Sequence, residues 1–452
     1  MAIQRDVEPL YLAMTRPPMI WGVPLMFAGL SGVAVCLSFI WTKFLPMLAL
    51  YPFLHAAGYW MVERDPRFME IWMTWSQRCA RCQTPYFFSY HKGDLGHTIW
   101  IGPSGSGKTT AALFTLAMAQ RFDPRTIVFD KDRGAEIAVR AMGGSYSVIR
   151  PGEPTGWNPF AFEGTHRHRA FLRDFLVQLV SRPNEPLNSD DREALAKAVD
   201  RMYELDPEDR RMARLQALVP RRSGSDGIDR RLAAWYGAGE WAWLFDNETD
   251  KLALKANMLG FDLTSILKDV NASGATLAYL FYQVDRQRDG RRTIIFVDEG
   301  WYTLTIGAFE STLQDWYKTG RKDEFVLNFS TQEARDALRS EIGQTIIQQS
   351  ATHVFFPNPK ATEEELIQGC KLSEREFHLI QNVLPGSRCF LVKQGTESAV
   401  VQLDLTGMDG DIAILSGRRE RVEWLESLRS RVGDNPAAWL PAYLEHVTGG
   451  IK

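Results

Sequence analysis

Two uncharged stretches dominate the start of the chain. Pro17 to Thr42 is 26 residues without a charge, Phe44 to Val62 is 19, and only Lys43 separates them. As helices they would run about 39 and 28 Å, against a hydrocarbon core of about 30 Å, so the pattern predicts a transmembrane helical hairpin over residues 1–66. Trp21, Trp41 and Trp60 fall near the span ends, where amphipathic rings sit at the membrane interface. Pro24, Pro46, Pro52 and His55 interrupt the pattern, most of all in the second span, and leave one span plus a re-entrant or interfacial segment as the alternative. Next, Phe68, Ile71, Trp72 and Trp75 recur at helical spacing beside Arg78 and Arg81, which predicts an amphipathic juxtamembrane linker over 67–88, its apolar face suited equally to the membrane surface or to a partner.

From about residue 89 the periodicity becomes that of an α/β protein. Short apolar, β-branched runs end in polar residues: His97–Ile101, Thr126–Asp130, Arg292–Val297, Phe325–Gln332 and His353–Pro357. Such runs predict buried parallel strands. Between about 164 and 250 the pattern is helical, rich in Arg, Asp, Glu, Leu and Ala and broken by Pro183, Pro186 and Pro220, which predicts an all-α insertion. Two further strands (Arg388–Lys393, Ser398–Asp404) and two helices (Arg418–Val432, Pro436–His446) close the chain.

Composition sharpens this reading in three places. Lys plus Arg total 52 against 55 Asp plus Glu, a net charge of −3, so no global basic field recruits nucleic acid. The paired arginines of the insertion (Arg210-Arg211, Arg221-Arg222, Arg230-Arg231) read most simply as solvated helix faces. Five cysteines build no disulfide framework, and Cys79-Ala-Arg-Cys82 lacks the further ligands a structural zinc site needs. Arg5, Arg16, Arg64, Arg67, Arg78 and Arg81 flank the hairpin while a lone Lys43 marks its turn. The positive-inside rule thus predicts both termini and the α/β unit in the cytoplasm.

The chemistry centres on Gly102-Pro103-Ser104-Gly105-Ser106-Gly107-Lys108-Thr109-Thr110, which fits G-x4-G-K-[ST] between a strand pattern and a helix pattern. Inward-turned N–H groups of such a loop cradle phosphates, Lys108 reaches the β- and γ-phosphates of ATP, and the Thr109 hydroxyl holds Mg²⁺. Asp298 and Glu299 follow the Thr293–Val297 run, where Asp298 would anchor Mg²⁺ and Glu299 would polarise the attacking water. Gln332 ends its strand with an amide suited equally to the γ-phosphate or to capping a turn. Asp130-Lys-Asp132-Arg133 is balanced between a site role and a solvated loop. Gly320-Arg321-Lys322 precedes the Gln332 strand; in ring ATPases such an arginine can enter a neighbour's site, and its loop is expected at the nucleotide edge of the sheet.

These residues carry a resemblance. Gly93-Asp-Leu-Gly-His97-Thr with the phosphate loop, Asp130-Lys-Asp-Arg133, Gly156-Trp-Asn-Pro159, Val297-Asp-Glu-Gly-Trp301, Thr319-Gly-Arg-Lys322, Ser330-Thr-Gln332 and Phe356-Pro-Asn-Pro359 resemble the VirB-four (TrbE) ATPases of type IV secretion and conjugal transfer, over residues 85 to 445. Pro9-Leu-Tyr, Ala13-Met-Thr-Arg16-Pro, Gly22-Val-Pro24 and Asp65-Pro66 resemble the small VirB-three (TrbD) inner-membrane component. The resemblance implies a RecA-like motor of the bacterial inner membrane, hexameric assembly with other inner-membrane components, and ATP hydrolysis that drives pilus assembly and transfer of DNA or protein. By position it implies that Lys108 and Thr109 bind nucleotide, that Asp298 and Glu299 are the hydrolytic acids, and that Gln332 and Arg321 match motor motifs. Family members carry a large domain before the motor, whereas about thirty residues here join Pro66 to the phosphate-loop strand. A membrane-anchored DNA-translocating ring ATPase and a non-catalytic secretion scaffold are the rival readings.

Overall fold

The computed structural model describes residues 19–64, 86–91, 96–182, 185–221, 227–252, 256–300, 313–317, 319–320, 324–338, 341–384 and 387–449. Arg5, Arg16, Arg67, the 68–82 stretch with Cys79 and Cys82, and Arg321 lie outside them. The chain divides into two units, Met1–Phe88 and Ser89–Lys452.

In the first unit a two-residue ladder (β1, Met19–Ile20; β2, Val23–Pro24) leads into helix α1, Leu25–Thr42. Lys43 ends this helix in the left-handed region (φ 51°), its N–H returning to the Phe39 carbonyl, which makes the tight turn expected there. A 3-10 turn, Leu45–Ala49, precedes α2, Leu50–Arg64, which packs back on α1. At the crossing, a Cβ on Gly58 would lie 2.5 Å from the Phe27 ring, so glycine is what lets the helices approach. The outward faces stay apolar: Leu30, Val33, Leu37, Ile40 and Phe53 are exposed. Two corrections follow for the expected pair of spans. The first helix starts at Leu25 rather than Pro17. Among the described residues, Leu25–Thr42 alone is long and apolar enough to cross a membrane, because Pro46 diverts the second run into a 3-10 turn and leaves α2 only 15 residues.

The second unit is built on a nine-stranded sheet, ordered β11-β10-β9-β3-β8-β7-β4-β6-β5. Its strands are β3 (Thr98–Ile101), β4 (Arg125–Asp130), β5 (Ser145–Val148), β6 (Met258–Asp262), β7 (Thr293–Val297), β8 (Phe325–Thr331), β9 (Thr352–Phe355), β10 (Cys389–Gln394) and β11 (Glu397–Gln402). From β9 to β5 all neighbours pair in parallel, and β10 and β11 add an antiparallel hairpin at one edge. Central strands β7 and β8 are buried along their whole length, as continuous apolar runs in a helix-covered sheet must be. The sequence pattern missed β5 and β6. Ser145-Tyr-Ser-Val148 alternates with serines, and Gly260 interrupts Met258–Asp262. That glycine has a cause: a Cβ there would lie 2.3 Å from the ring of its register partner Tyr146.

Between β5 and β6 the chain forms helices, including α3 (His166–Val180) and α4 (Ser189–Met202), capped by Thr165 and Asn188. Their apolar faces join the main core through Leu172, Phe175, Leu176, Leu195 and Val199. Two of the paired arginines of this region are bound into the fold, while Arg221 and Arg230 are exposed. Arg210 donates to the Leu205 carbonyl and lies over the Tyr203 ring, and Arg231 donates to Val180 and to Glu185. At the C-terminus, helices Asp409–Leu415, Arg419–Val432 and Pro436–Thr448 pack on helix Glu136–Ala141 through Ile137, Val422, Leu425 and Trp439.

Candidate active site

Parallel strands present their carboxyl ends on one edge, and loops leaving that edge converge where α/β sheets bind ligands. Strand β3 ends at Ile101 and the chain enters the phosphate loop. Gly102 must be glycine: its N–H donates to the Thr331 carbonyl, and a Cβ would lie 2.4 Å from Cβ of Phe356 on the neighbouring strand. Gly105 (φ 77°) and Gly107 (φ 92°) hold left-handed conformations open to glycine at no steric cost. Gly107 caps helix Lys108–Ala119, so the helix N-terminus and the loop N–H groups bound one concavity. Ser104, Gly105 and Gly107 face solvent, Pro103, Ser106, Thr109 and Thr110 are half-buried, and Lys108 is buried. The Ser106 hydroxyl oxygen is itself buried with no hydrogen-bond partner, a donor in a loop otherwise shaped for an anion.

Lys108 Nζ donates to the Gly102 carbonyl at 3.1 Å and lies 3.6 Å from Glu299 Oε1. Burial lowers its pKa, and the charges of Glu299 and Asp298 oppose that shift. Thus the cation of the loop is held at the carboxylates of β7, two strands away in the sheet. Asp298 follows β7, its N–H bonded to the Phe129 carbonyl and its Oδ1 accepting from Ser330 Oγ at 2.9 Å. Its surroundings push its pKa up to about 6, with burial the largest cause and Lys108 the main opposing one. Glu299 is 7% exposed and takes φ 50°, unusual for a residue with a side chain. The backbone turns there because Gly300 must return to β8, donating to the Ser330 carbonyl against the Phe329 ring, which a Cβ on Gly300 would meet at 2.3 Å. Gln332 lies one residue past β8, adjoining the Thr331 carbonyl that receives Gly102. Thr109 and Asp298 offer hydroxyl and carboxylate oxygens, and this donor set beside a buried ammonium fits a hard divalent cation such as Mg²⁺.

Arg321 itself lies outside the described residues, and only its flanks are placed. Gly320 and Glu324, which flank the Arg321 loop, sit at the amino ends of the strands. Phe325 N–H bonds to the Gly320 carbonyl, Thr293 N–H bonds to Glu324, and a Cβ on Gly320 would lie 2.8 Å from the His97 ring that precedes β3. The phosphate loop is at the opposite, carboxyl edge, about 20 Å away along β8. A residue that precedes a parallel strand cannot share the edge of a loop that follows one. Asp130, by contrast, ends β4 on the nucleotide edge as a buried residue.

Comparison with known proteins bears on the whole chain. Residues 6–91 match the family "Type IV secretory pathway, VirB3-like protein". The type IV secretion system protein virB4 of Bartonella henselae is 41% identical over 362 residues, covering 80% of this chain and 46% of that protein. The virB4 protein of Brucella abortus is 35% identical over 405 residues, covering 82% and 48%. The chain therefore spans about half the length of these curated relatives. The solved structure of VirB4 of Thermoanaerobacter pseudethanolicus superposes with a TM-score of 0.60 at 19% identity, over 73% of this chain and 95% of that one, and shows the shared RecA-like P-loop NTPase fold. The family match and the apolar helix Leu25–Thr42 mark the N-terminal segment as membrane-associated. The chain is thus a VirB3-like segment continuous with a region homologous to the VirB4 proteins of type IV secretion.

Proposed function

We propose that this chain is an ATP-hydrolysing motor of a bacterial type IV secretion or conjugation system, anchored in the inner membrane with its α/β unit in the cytoplasm. The observation that supports this most is the meeting of Lys108, Asp298 and Glu299 at the carboxyl edge of the sheet, with the Lys108 ammonium 3.6 Å from Glu299. Residues 102–110 would bind the ATP phosphates, with Lys108 turning from the Gly102 carbonyl to the β- and γ-phosphates. Thr109 and Asp298 would hold Mg²⁺, which neutralises phosphate charge when bound. Glu299, buried beside the ammonium, would accept the proton of the attacking water, and Gln332 at the end of β8 would orient that water or the γ-phosphate. Gly320 and Glu324, which flank Arg321, sit at the opposite edge, so any role of Arg321 in hydrolysis would be toward a neighbouring subunit of a hexamer, where a guanidinium can neutralise transition-state charge.

The test is genetic and mechanical together. In a host whose transfer system depends on this chain, Lys108→Ala should assemble into the membrane yet abolish pilus assembly and substrate transfer. Normal transfer by that variant would reject the motor reading and favour a scaffold. Stimulation of ATP turnover by added DNA would instead favour a DNA-translocating ring.

A further inference from the structure

Strand β4 ends in a carboxylate that the phosphate-loop chemistry does not account for. Asp130 is 1% exposed. Its Oδ2 is fully engaged, accepting the Ala135 N–H at 2.7 Å and the Tyr146 hydroxyl at 2.6 Å. Its Oδ1 is buried and has no hydrogen-bond partner. A buried carboxylate oxygen left without a donor is costly, and folds retain one only where something else supplies the donor.

The surrounding architecture keeps this oxygen aimed. Tyr146 comes from the edge strand β5 and must cross β6 to reach Asp130; it can do so because its register partner is Gly260, whose missing Cβ leaves room for the ring. Behind the carboxylate, the chain turns through Asp132 (φ 63°) and Arg133 (φ 58°), two consecutive left-handed residues without glycine. That turn is pinned by Asp132 N–H to Thr264 Oγ1 and by Arg133 to Glu136 and Glu426. The space in front of Oδ1 can be located from Gly134. A Cβ built there would lie at ordinary contact distance from Asp130 Oδ1 (3.6 Å), the Thr109 methyl Cγ2 (3.7 Å) and the Lys131 carbonyl (3.8 Å), so both side chains border the same small, enclosed gap. Thr109, whose methyl borders it, is the hydroxyl residue of the phosphate loop. Burial first, and then the charge of Asp298, the next acid along the edge, raise the Asp130 pKa well above the usual carboxylate range, so a nearby cation would favour its ionised form.

Mg²⁺ gives up its water reluctantly and keeps several aqua ligands when bound by one hydroxyl and one carboxylate. We propose that Asp130 is a positioning residue for the cation: its free Oδ1 accepts a hydrogen bond from a water of the hydration shell of Mg²⁺ held at Thr109. This rests on the nucleotide-site reading above. The water's lone pair points to the metal and its protons point outward, so only an acceptor serves. The Ala135 and Tyr146 donors fix Oδ2 so that Oδ1 faces the gap. Outer-shell partners of this kind typically change metal affinity by about 10–100-fold.

The test measures binding rather than turnover, on the full chain in detergent, with a fluorescent N-methylanthraniloyl ATP titrated in Mg²⁺ and again in EDTA. Asp130→Asn keeps the volume and can still accept from Tyr146 and Ala135, but turns an amide N–H₂ toward the gap. Gly134→Ala leaves every hydrogen bond in place and fills the gap with a methyl at ordinary contact distance. Both should bind the nucleotide in EDTA as the wild type does, and both should lose about tenfold or more of the gain that Mg²⁺ confers. Wild-type gain in a folded Asp130→Asn protein, or in Gly134→Ala should the first not fold, overturns the proposal. So does an equal loss with and without metal, which would make Asp130 a brace for its loop. A wild-type chain that binds no nucleotide at all would overturn the site reading and this proposal with it.

Discussion

At Asp298 burial and the Lys108 charge set most of the carboxylate's charge state, and one hydroxyl adds to the side of Lys108. Ser330 donates to Oδ1 at 2.9 Å, and this bond favours the ionised form against the burial that raises the pKa to about 6. Ser330→Ala should therefore weaken Mg²⁺-dependent nucleotide binding by about tenfold while sparing binding in EDTA, since an outer-shell donor has been removed and the phosphate loop has not been touched. Fluorescent nucleotide titration checks it, and an unchanged Mg²⁺ response would show that the hydroxyl is idle. Among these residues the legible ones in sequence were those whose roles follow from spacing: glycines, Lys108 and Thr109 in one loop, acids at the end of one apolar run. Asp130 was visible as an acid ending a strand, but spacing could not say whether its loop was solvated. Only its burial, its two donors on Oδ2 and the bare Oδ1 separate the two readings.

The elements show where periodicity suffices and where it does not. Strands β7 and β8 are mostly apolar and wholly buried, so pattern alone located them. Strand β6 was lost because Gly260 interrupts it, and that glycine answers a contact from another strand. Gly260→Ala should drive the Tyr146 ring off Asp130 and lower stability by about 1–3 kcal/mol, read as a drop in melting temperature. An unshifted melt would mean the ring relocates freely. Gly320 and Glu324, the described flanks of Arg321, sit at the amino edge, because strand polarity and not linear proximity to Gln332 sets the edge. Element packing also sets a pH dependence. His97, at the entry to β3, accepts the Leu327 N–H at Nδ1 and is held by burial at a pKa of about 4. An unfolded histidine titrates near 6.5, so below that pH the unfolded chain takes up a proton the folded chain refuses. Stability should fall from pH 6.5 toward pH 4, by about 2 kcal/mol at pH 5 from this residue. Melting curves at pH 7 and pH 5 should show the loss, and His97→Gln should melt lower at pH 7 yet show a smaller difference between the two; an unchanged difference would assign the effect elsewhere.

The whole molecule joins two units whose surfaces suit different solvents. The Met1–Phe88 unit exposes apolar side chains around Leu25–Thr42, while the Ser89–Lys452 unit closes its core around the sheet. The full chain should resist alkaline carbonate extraction from membranes, and a chain begun at Ser89 should be soluble. Release of the full chain would make the hairpin a peripheral element. The central claim is that the assembled edge of the sheet hydrolyses ATP. Steady-state phosphate release by the purified full chain in detergent, run beside nucleotide binding, tests it most directly. The account predicts Mg²⁺-dependent turnover in the wild type, neither binding nor turnover in Lys108→Ala, and binding with turnover at least about 10²-fold slower in Glu299→Gln. Wild-type turnover in Glu299→Gln would contradict it.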